Sequence, residues 1–191
     1  VGGGNDFVVP ITVPNDPNQP KSYENMTTAV NTLAAAGARN FIVFQLPDFG
    51  KFPVANLDGR NPADITAATK EFNSNLLKNL APLRQDPNIK VNVVNIYSLA
   101  NSWFQNPAKF GFTNTSDACL PAATFTLCNN PAEYLFWDDI HLSTKAHKMI
   151  ADAVFVPEPS QAIATLALGA VATLGMLKQK SQKSKLTAAG K

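Results

Sequence analysis

The chain has 191 residues, of which 45% are hydrophobic and 16% charged, and it is long enough for one globular domain with a sizeable core. The formal net charge of +2 is unevenly spread, because residues 1–155 hold 11 Lys and Arg against 13 Asp and Glu, whereas residues 156–191 hold five against one. The main body has no basic stripe interleaved with aromatic residues, which argues against a nucleic-acid-binding surface.

The first half of the chain predicts alternating helices and strands. Apolar residues at helical spacing predict a helix over 23–36 that ends at Gly37. Unbroken apolar runs predict strands over 40–46 and 90–96. We expect the first of these strands to be buried on both faces, as parallel strands between helix layers are.

A long amphipathic helix is expected between the two strands. Its apolar residues fall near one face over 64–81, and Pro82 should stop it because proline has no N–H to continue the hydrogen-bond ladder. Asn73 and Asn75 are expected to face solvent or to bond locally. The order of helix, strand, long helix and strand is the βαβ rhythm of a three-layer α/β domain.

Two segments have more than one interpretation. The region 98–112 predicts a short helix and a turn, and its aromatic residues either pack in the core, which we favour, or form an acyl-binding wall; they are Trp103, Phe104, Phe110 and Phe112. The loop that begins at 46–50 either lines a ligand crevice at the carboxyl end of a strand or is an ordinary connection.

The two cysteines, Cys119 and Cys128, have eight residues between them. A pair this close predicts a disulfide that closes the intervening loop, and two free thiols are the alternative. A metal site would need further ligands nearby, so we do not expect one at the cysteines.

Asp138 lies three residues before His141, just after an aromatic and apolar run. Ser143 or Thr144 can cap the helix predicted over 144–154, because a hydroxyl accepts from the free N–H groups of a first helical turn. On the loop entering that helix, Asp138 can reach Nδ1–H of His141 and leave Nε2 free to take a proton from a hydroxyl. The pair is therefore a candidate base and orienter of a serine hydrolase, and the plain alternative is a surface histidine beside a helix cap.

A metal-site interpretation of the same segment would add Asp139 and His147 to Asp138 and His141. We disfavour this interpretation because the sequence provides no further clustered ligand. We therefore expect no metal ion at this site.

The composition changes sharply at 155–160, where Val-Pro-Glu-Pro precedes an uncharged, mostly apolar run over 162–177 and then several lysines. A helix of that run would reach roughly 24 Å, at the short edge of what spans a bilayer. The basic residues behind it match the positive-inside pattern of an anchor better than a buried C-terminal helix.

Together with the Gly-Gly-Asn-Asp segment at 3–6, which alone is typical of a turn, the 138–141 segment resembles the SGNH or GDSL-type ester hydrolases. The resemblance implies a flavodoxin-like three-layer α/β/α domain with a parallel sheet, followed here by the hydrophobic helix. It implies Asn5 as oxyanion-hole donor, Asp138 as orienter and His141 as base, with no cofactor. The implied substrate is a small-molecule, lipid or glycan ester. The resemblance continues less specifically through 37–41, 46–50, 105–108 and 128–131.

The sequence departs from the family pattern in its nucleophile. The family carries a serine in a Gly-Asp-Ser block and a second oxyanion donor, a glycine, in the next block, and neither block is present. Val1 is not an initiator methionine, so we expect the sequence to begin part-way through a longer protein, with the serine and the first strands of the sheet upstream. The chain alone is then expected to be inactive. The alternatives are a non-catalytic surface or matrix-binding module and an exopolysaccharide O-deacetylase.

The tail at 156–191 resembles a PEP-CTERM sorting signal, with lysines spread along the chain where the family has adjacent arginines. This resemblance implies an exported protein at the cell surface or outside the cell, held transiently in the membrane by the hydrophobic helix and processed by an exosortase-type enzyme. The hydrolase domain is accordingly expected over 1–155, and the tail is excluded from its fold.

Overall fold

The computed structural model describes residues 22–57 and 59–155 of the chain. Asn5 lies outside these residues, and so does the tail at 156–191 with its predicted hydrophobic helix. No helix in the described part of the chain combines the length and the apolar composition that crossing a bilayer requires. The division into a domain over 1–155 and a tail stays a prediction.

Two parallel strands joined by a long helix form the first part of the fold. The elements in chain order are α1 (Ser22–Ala35), β1 (Asn40–Phe44), α2 (Pro62–Gln85) and β2 (Lys90–Val94). The two strands pair in parallel from Asn40 opposite Lys90 to Phe44 opposite Val94. Two adjacent parallel strands must be joined by a crossover connection. Helix α2 provides it by carrying the chain from the end of β1 back to the edge of the sheet at which β2 begins. This arrangement confirms the predicted α/β fold with parallel strands.

The second part of the described chain contains another pair of parallel strands, which are shorter in their pairing than the first pair. Its elements are α3 (Ile96–Gln105), β3 (Asn114–Ala118), β4 (Tyr134–Phe136) and α4 (Thr144–Phe155). Strands β3 and β4 pair in parallel, with a register shift between Asn114 and Ala118. Within the described residues the strands thus form two two-stranded sheets. Helix α4 begins where the sequence predicts it.

Three predicted element ends are wrong, and the first is the end of β1, which lies at Phe44 and not at 46. Pro82 lies inside α2, which continues to Gln85. A proline in the last turns of a helix removes one N–H from the ladder, and few hydrogen bonds remain beyond it to be disturbed. Ile96 begins α3 and does not end β2, because Oδ1 of Asn95 accepts the N–H of Ser98 at 2.8 Å and caps the helix there.

Strand β1 is buried on one face, so the prediction that both faces are buried is wrong. Successive side chains of a strand point to opposite faces. Phe41 and Val43 share the face that packs against the core, and Val43 is 4% exposed. Ile42 points to the other side of the pleat and is 54% exposed. An unbroken apolar run therefore does not require burial on both sides here.

The prediction that Asn73 faces solvent or bonds locally is also wrong. Asn73 is 5% exposed and bonds to both backbone groups of Leu46. Its side chain therefore joins the middle of α2 to the chain just beyond β1. Asn75 on the same helix is partly buried.

Aromatic residues of α3 and the following segment contribute to the core. Trp103 and Phe112 are 0% and 2% exposed, and Phe104 and Phe110 are partly buried against the same cluster, which confirms the core-packing interpretation. The ring of Phe136, the last residue of β4, lies 6.3 Å from that of Phe104, centroid to centroid. Strand β4 is thereby anchored at its carboxyl end, where the candidate site begins.

Candidate active site

The candidate site is a tight turn over residues 138–141, between β4 and α4. An antiparallel bridge between Phe136 and Leu142 closes the base of the turn. The N–H of Trp137 donates to the carbonyl of His141 at 2.8 Å, inside that bridge. The 138–141 turn is therefore held in shape by backbone hydrogen bonds as well as by its side chains.

Asp138 organises the turn from within. Its Oδ1 accepts the backbone N–H groups of Ile140 at 2.8 Å and His141 at 2.7 Å. The same carboxylate meets Nδ1 of the His141 ring, at 3.0 Å from Oδ1 and 2.8 Å from Oδ2. The structure thus brings together the two residues that the sequence pairs as base and orienter.

This contact determines which nitrogen of His141 can accept a proton. A carboxylate only accepts hydrogen bonds, so Nδ1 carries the proton that it shares with Asp138. Nε2 of the neutral ring is then left with a free lone pair. The His141 side chain is 69% exposed and that of Asp138 is 31% exposed, so the ring is accessible while its orienter is partly covered.

The ionisation of Asp138 follows from its surroundings. Burial raises the pKa of its carboxyl group, but hydrogen bonds from the His141 ring and from the N–H groups of His141 and Ile140 lower it by more, so the pKa lies below its ordinary value. Asp138 is therefore a carboxylate at neutral pH. A negative charge at this position stabilises a positive charge on the adjacent imidazole.

The other residues of the disfavoured metal interpretation have different partners. Nδ1 of His147 lies 3.1 Å from the carbonyl of Ser143, the residue that precedes α4. Oδ2 of Asp139 accepts the N–H of Ala122 at 2.8 Å. The described residues contain no group of three or more His, Cys, Asp or Glu side chains that could hold a metal ion.

Ser143 makes the link between the turn and α4. It is 5% exposed, and its Oγ accepts the N–H of Ala146 at 3.4 Å. Its own N–H donates to the carbonyl of Leu135 in β4 at 2.8 Å. Of the two hydroxyl residues that the sequence offers as caps, Ser143 is the one that bonds to the first turn of the helix.

The two cysteines form a disulfide beside the turn. The Cα atoms of Cys119 and Cys128 are 4.8 Å apart, and the N–H of Cys128 donates to the carbonyl of Cys119 at 2.7 Å. The loop between them, the 119–128 loop, is bonded to the chain leaving β4, because the N–H of Leu120 donates to the carbonyl of Trp137 at 2.8 Å. The disulfide-closed loop therefore adjoins the 138–141 turn.

Two further predicted features bear on the site. Asn5 lies outside the described residues, so its position relative to His141 stays a prediction. In the loop that follows β1, Asp48 is 2% exposed and accepts the Thr66 hydroxyl at 2.7 Å and the Gly50 N–H at 3.2 Å. This carboxylate thus fastens the loop to α2.

The chain is similar to known proteins of one family. The family model described as GDSL-like Lipase/Acylhydrolase matches residues 1–154. GDSL esterase/lipase At1g74460 of Arabidopsis thaliana is 31% identical over 143 residues, covering 68% of this chain and 39% of that protein. GDSL esterase/lipase APG of the same plant is 30% identical over 149 residues, covering 69% and 42%. The plant's Anther-specific proline-rich protein APG is 27% identical over 172 residues, covering 78% and 32%. The chain thus spans between 32% and 42% of these relatives' lengths.

Proposed function

The chain belongs to the family of GDSL-like lipases and acylhydrolases, and on that basis we propose that its protein hydrolyses carboxylic esters with His141 as general base and Asp138 as orienter. The observation that carries the proposal is the contact of the Asp138 carboxylate with Nδ1 of His141 at 2.8 and 3.0 Å. It is supported by the exposure of the ring, which leaves Nε2 accessible to a nucleophile and a substrate.

In the proposed reaction, the nucleophile is the serine that the family carries in a Gly-Asp-Ser block, and we propose that this block precedes Val1 in the full-length protein. The serine hydroxyl attacks the ester carbonyl while Nε2 of His141 takes the hydroxyl proton. The tetrahedral intermediate breaks its bond to the alcohol oxygen, and His141 gives the proton to that oxygen. Water then attacks the acyl-serine with His141 again as base, and the proton returns to the serine as the acid leaves.

Asp138 and Asn5 have the two remaining roles in the proposed reaction. Asp138 is ionised, so it holds the proton on Nδ1 and stabilises the imidazolium that forms twice in each cycle. Asn5 is proposed as a donor to the oxyanion of the tetrahedral intermediate, a role that rests on the family resemblance. Removal of such a donor raises the barrier by on the order of 3 kcal/mol.

The test is His141→Ala in the full-length protein, assayed on a short-chain acyl ester. We expect kcat to fall by roughly 10⁴-fold or more, because the serine loses its base. The matched control is His147→Ala, which removes an exposed histidine of α4 that bonds to Ser143. Circular dichroism should show both variants folded. Near-normal turnover by the His141 variant would refute the proposed base.

The same assay addresses the substrate class and the completeness of the chain. The proposed substrates are small-molecule, lipid or glycan esters, and parallel measurement of released acetate and long-chain fatty acid separates an O-deacetylase from a lipase. We propose that a purified chain of residues 1–191 shows no ester turnover, because its sequence contains no Gly-Asp-Ser block. If the full-length protein is folded and equally inactive, the non-catalytic surface module is the better description.

The tail carries a separate proposal about location. The Val-Pro-Glu-Pro motif, the apolar run over 162–177 and the lysines behind it support export, transient membrane anchoring and exosortase-type removal of the tail. Mass spectrometry of the protein recovered from the native cell envelope and medium tests this. Cleavage near residues 157–159 is expected, and an intact tail on cytoplasmic protein would contradict the proposal.

A further inference from the structure

Asp139 lies between the proposed orienter and base in sequence, but its side chain points to a different part of the molecule. Its Oδ2 accepts the N–H of Ala122, 17 residues earlier, at 2.8 Å. Ala122 belongs to the 119–128 loop, which the disulfide closes. The residue next to Asp138 therefore connects the 138–141 turn to a cross-linked loop.

We propose that Asp139 is a positioning residue for His141, and that it transmits the rigidity of the disulfide-closed loop to the 138–141 turn. The inference rests on the proposed function, because it assigns Asp139 a role only if His141 is the base. The hydrogen bonds of Asp139 go to Ala122 and Val54, whereas the His141 ring bonds to Asp138. It acts by fixing where the whole turn lies.

The hydrogen bonds inside the turn explain why an external anchor matters. Asp138 and the bond from Trp137 to His141 give the turn its shape, but they join residues of one short segment. Such bonds move with the segment and do not fix its position. Asp139 bonds outward twice, since its carbonyl also accepts the N–H of Val54 at 2.9 Å. Its backbone and side chain thus tie the turn to two distant parts of the chain.

The partner of the Asp139 side chain is itself well held. The bond between the backbones of Cys128 and Cys119 closes the neck of the 119–128 loop beside the disulfide. The bond from Leu120 to Trp137 fastens the same neck to the chain leaving β4. The N–H of Ala122 is therefore presented from a loop whose two ends are joined to each other and to the chain leaving β4, and it anchors a turn whose histidine is 69% exposed.

The first experiment compares Asp139→Ala with Asp139→Asn in the full-length protein. The alanine variant lacks the acceptor, while an asparagine Oδ1 can still accept the Ala122 N–H. We expect Asp139→Ala to lower kcat roughly 10- to 100-fold with little change in KM, because a displacement of about 1 Å is enough for such a loss. Asp139→Asn should retain most of the activity. Asp152→Ala, which removes an exposed carboxylate from α4, is the control and should leave kcat unchanged.

The second experiment is a double-mutant cycle with Cys119→Ser/Cys128→Ser. If the disulfide acts on His141 through Asp139, the cysteine replacement should lower kcat in the wild type and add little to Asp139→Ala. An unchanged kcat for Asp139→Ala, a loss in Asp139→Asn as large as in the alanine variant, or full additivity in the cycle would each overturn the inference. The His141→Ala assay separates the two proposals, since an active His141 variant refutes the base itself.

Discussion

Asn73 and Leu46 exchange two hydrogen bonds inside the protein. Oδ1 of Asn73 accepts the Leu46 N–H at 2.8 Å, and its Nδ2 donates to the Leu46 carbonyl at 2.9 Å. One amide side chain thereby satisfies both backbone groups of a residue that is 1% exposed. The bonds fix the point at which the chain leaves β1 for the loop that reaches the 138–141 turn through Val54.

Replacement of Asn73 by alanine should destabilise the fold. Two buried backbone groups lose their partner, and each unsatisfied group costs about 1–3 kcal/mol, so we expect the free energy of unfolding to fall by about 2–6 kcal/mol. Asn75→Ala, two positions along the same helix, is the matched control and should change it by less than about 0.5 kcal/mol. Urea unfolding monitored by circular dichroism measures both, and equal effects would contradict the role of Asn73.

Replacement of Asp138 by asparagine tests its role in catalysis without disrupting the turn. An asparagine Oδ1 can still accept the N–H groups of Ile140 and His141, but the amide no longer stabilises an imidazolium or keeps the proton on Nδ1. We expect kcat of the full-length protein to fall by roughly 10³- to 10⁴-fold with an unchanged circular dichroism spectrum. A loss smaller than about tenfold would show that His141 does not need a carboxylate orienter.

The depressed pKa of Asp138 also predicts how stability depends on pH. The folded state favours the carboxylate, so the stability that Asp138 contributes is fully present above its ordinary pKa and is lost as the pH falls through the lower folded value. The unfolding free energies of wild type and Asp138→Asn should therefore differ most near neutral pH and converge below about pH 4. Thermal unfolding at a series of pH values measures the difference, and a gap that widens as the pH falls below about 4 would contradict the sign.

Local sequence patterns predict which helices and strands form in the described part of the chain. They predict less well where these elements end and which partners their polar residues have. Helical spacing located α1 and α2, and apolar runs located β1 and β2. The apolar pattern does not predict the end of β2 at Val94, because the cap made by Asn95 competes with strand propensity and is not an apolar feature. Local patterns do not predict the environment of Asn73, because its partner, Leu46, is distant in sequence and becomes a neighbour only when α2 crosses the sheet.

The candidate site likewise has one contact that the sequence predicts and one that it does not. Asp138 and His141 are three residues apart, so their contact is local and could be predicted from spacing and helix-cap chemistry. The partner of Asp139 could not, because the bond to Ala122 depends on how the disulfide-closed loop pairs with the chain leaving β4. The proximity of the two cysteines indicates that a disulfide closes the loop. It did not indicate where the loop lies.

The disulfide predicts both a chemical and a thermodynamic result. Thiol titration of the denatured, unreduced protein should find no reactive thiol, and reduction should release both Cys119 and Cys128. Closing a loop this short restricts the unfolded chain enough to stabilise the fold by about 2–3 kcal/mol, so Cys119→Ser/Cys128→Ser should lower the free energy of unfolding by that amount. Reductant should destabilise the wild type to a similar extent and leave the serine variant unchanged. Two reactive thiols before reduction would show that the loop is not cross-linked, and would also remove the rigid anchor on which Asp139 is proposed to depend.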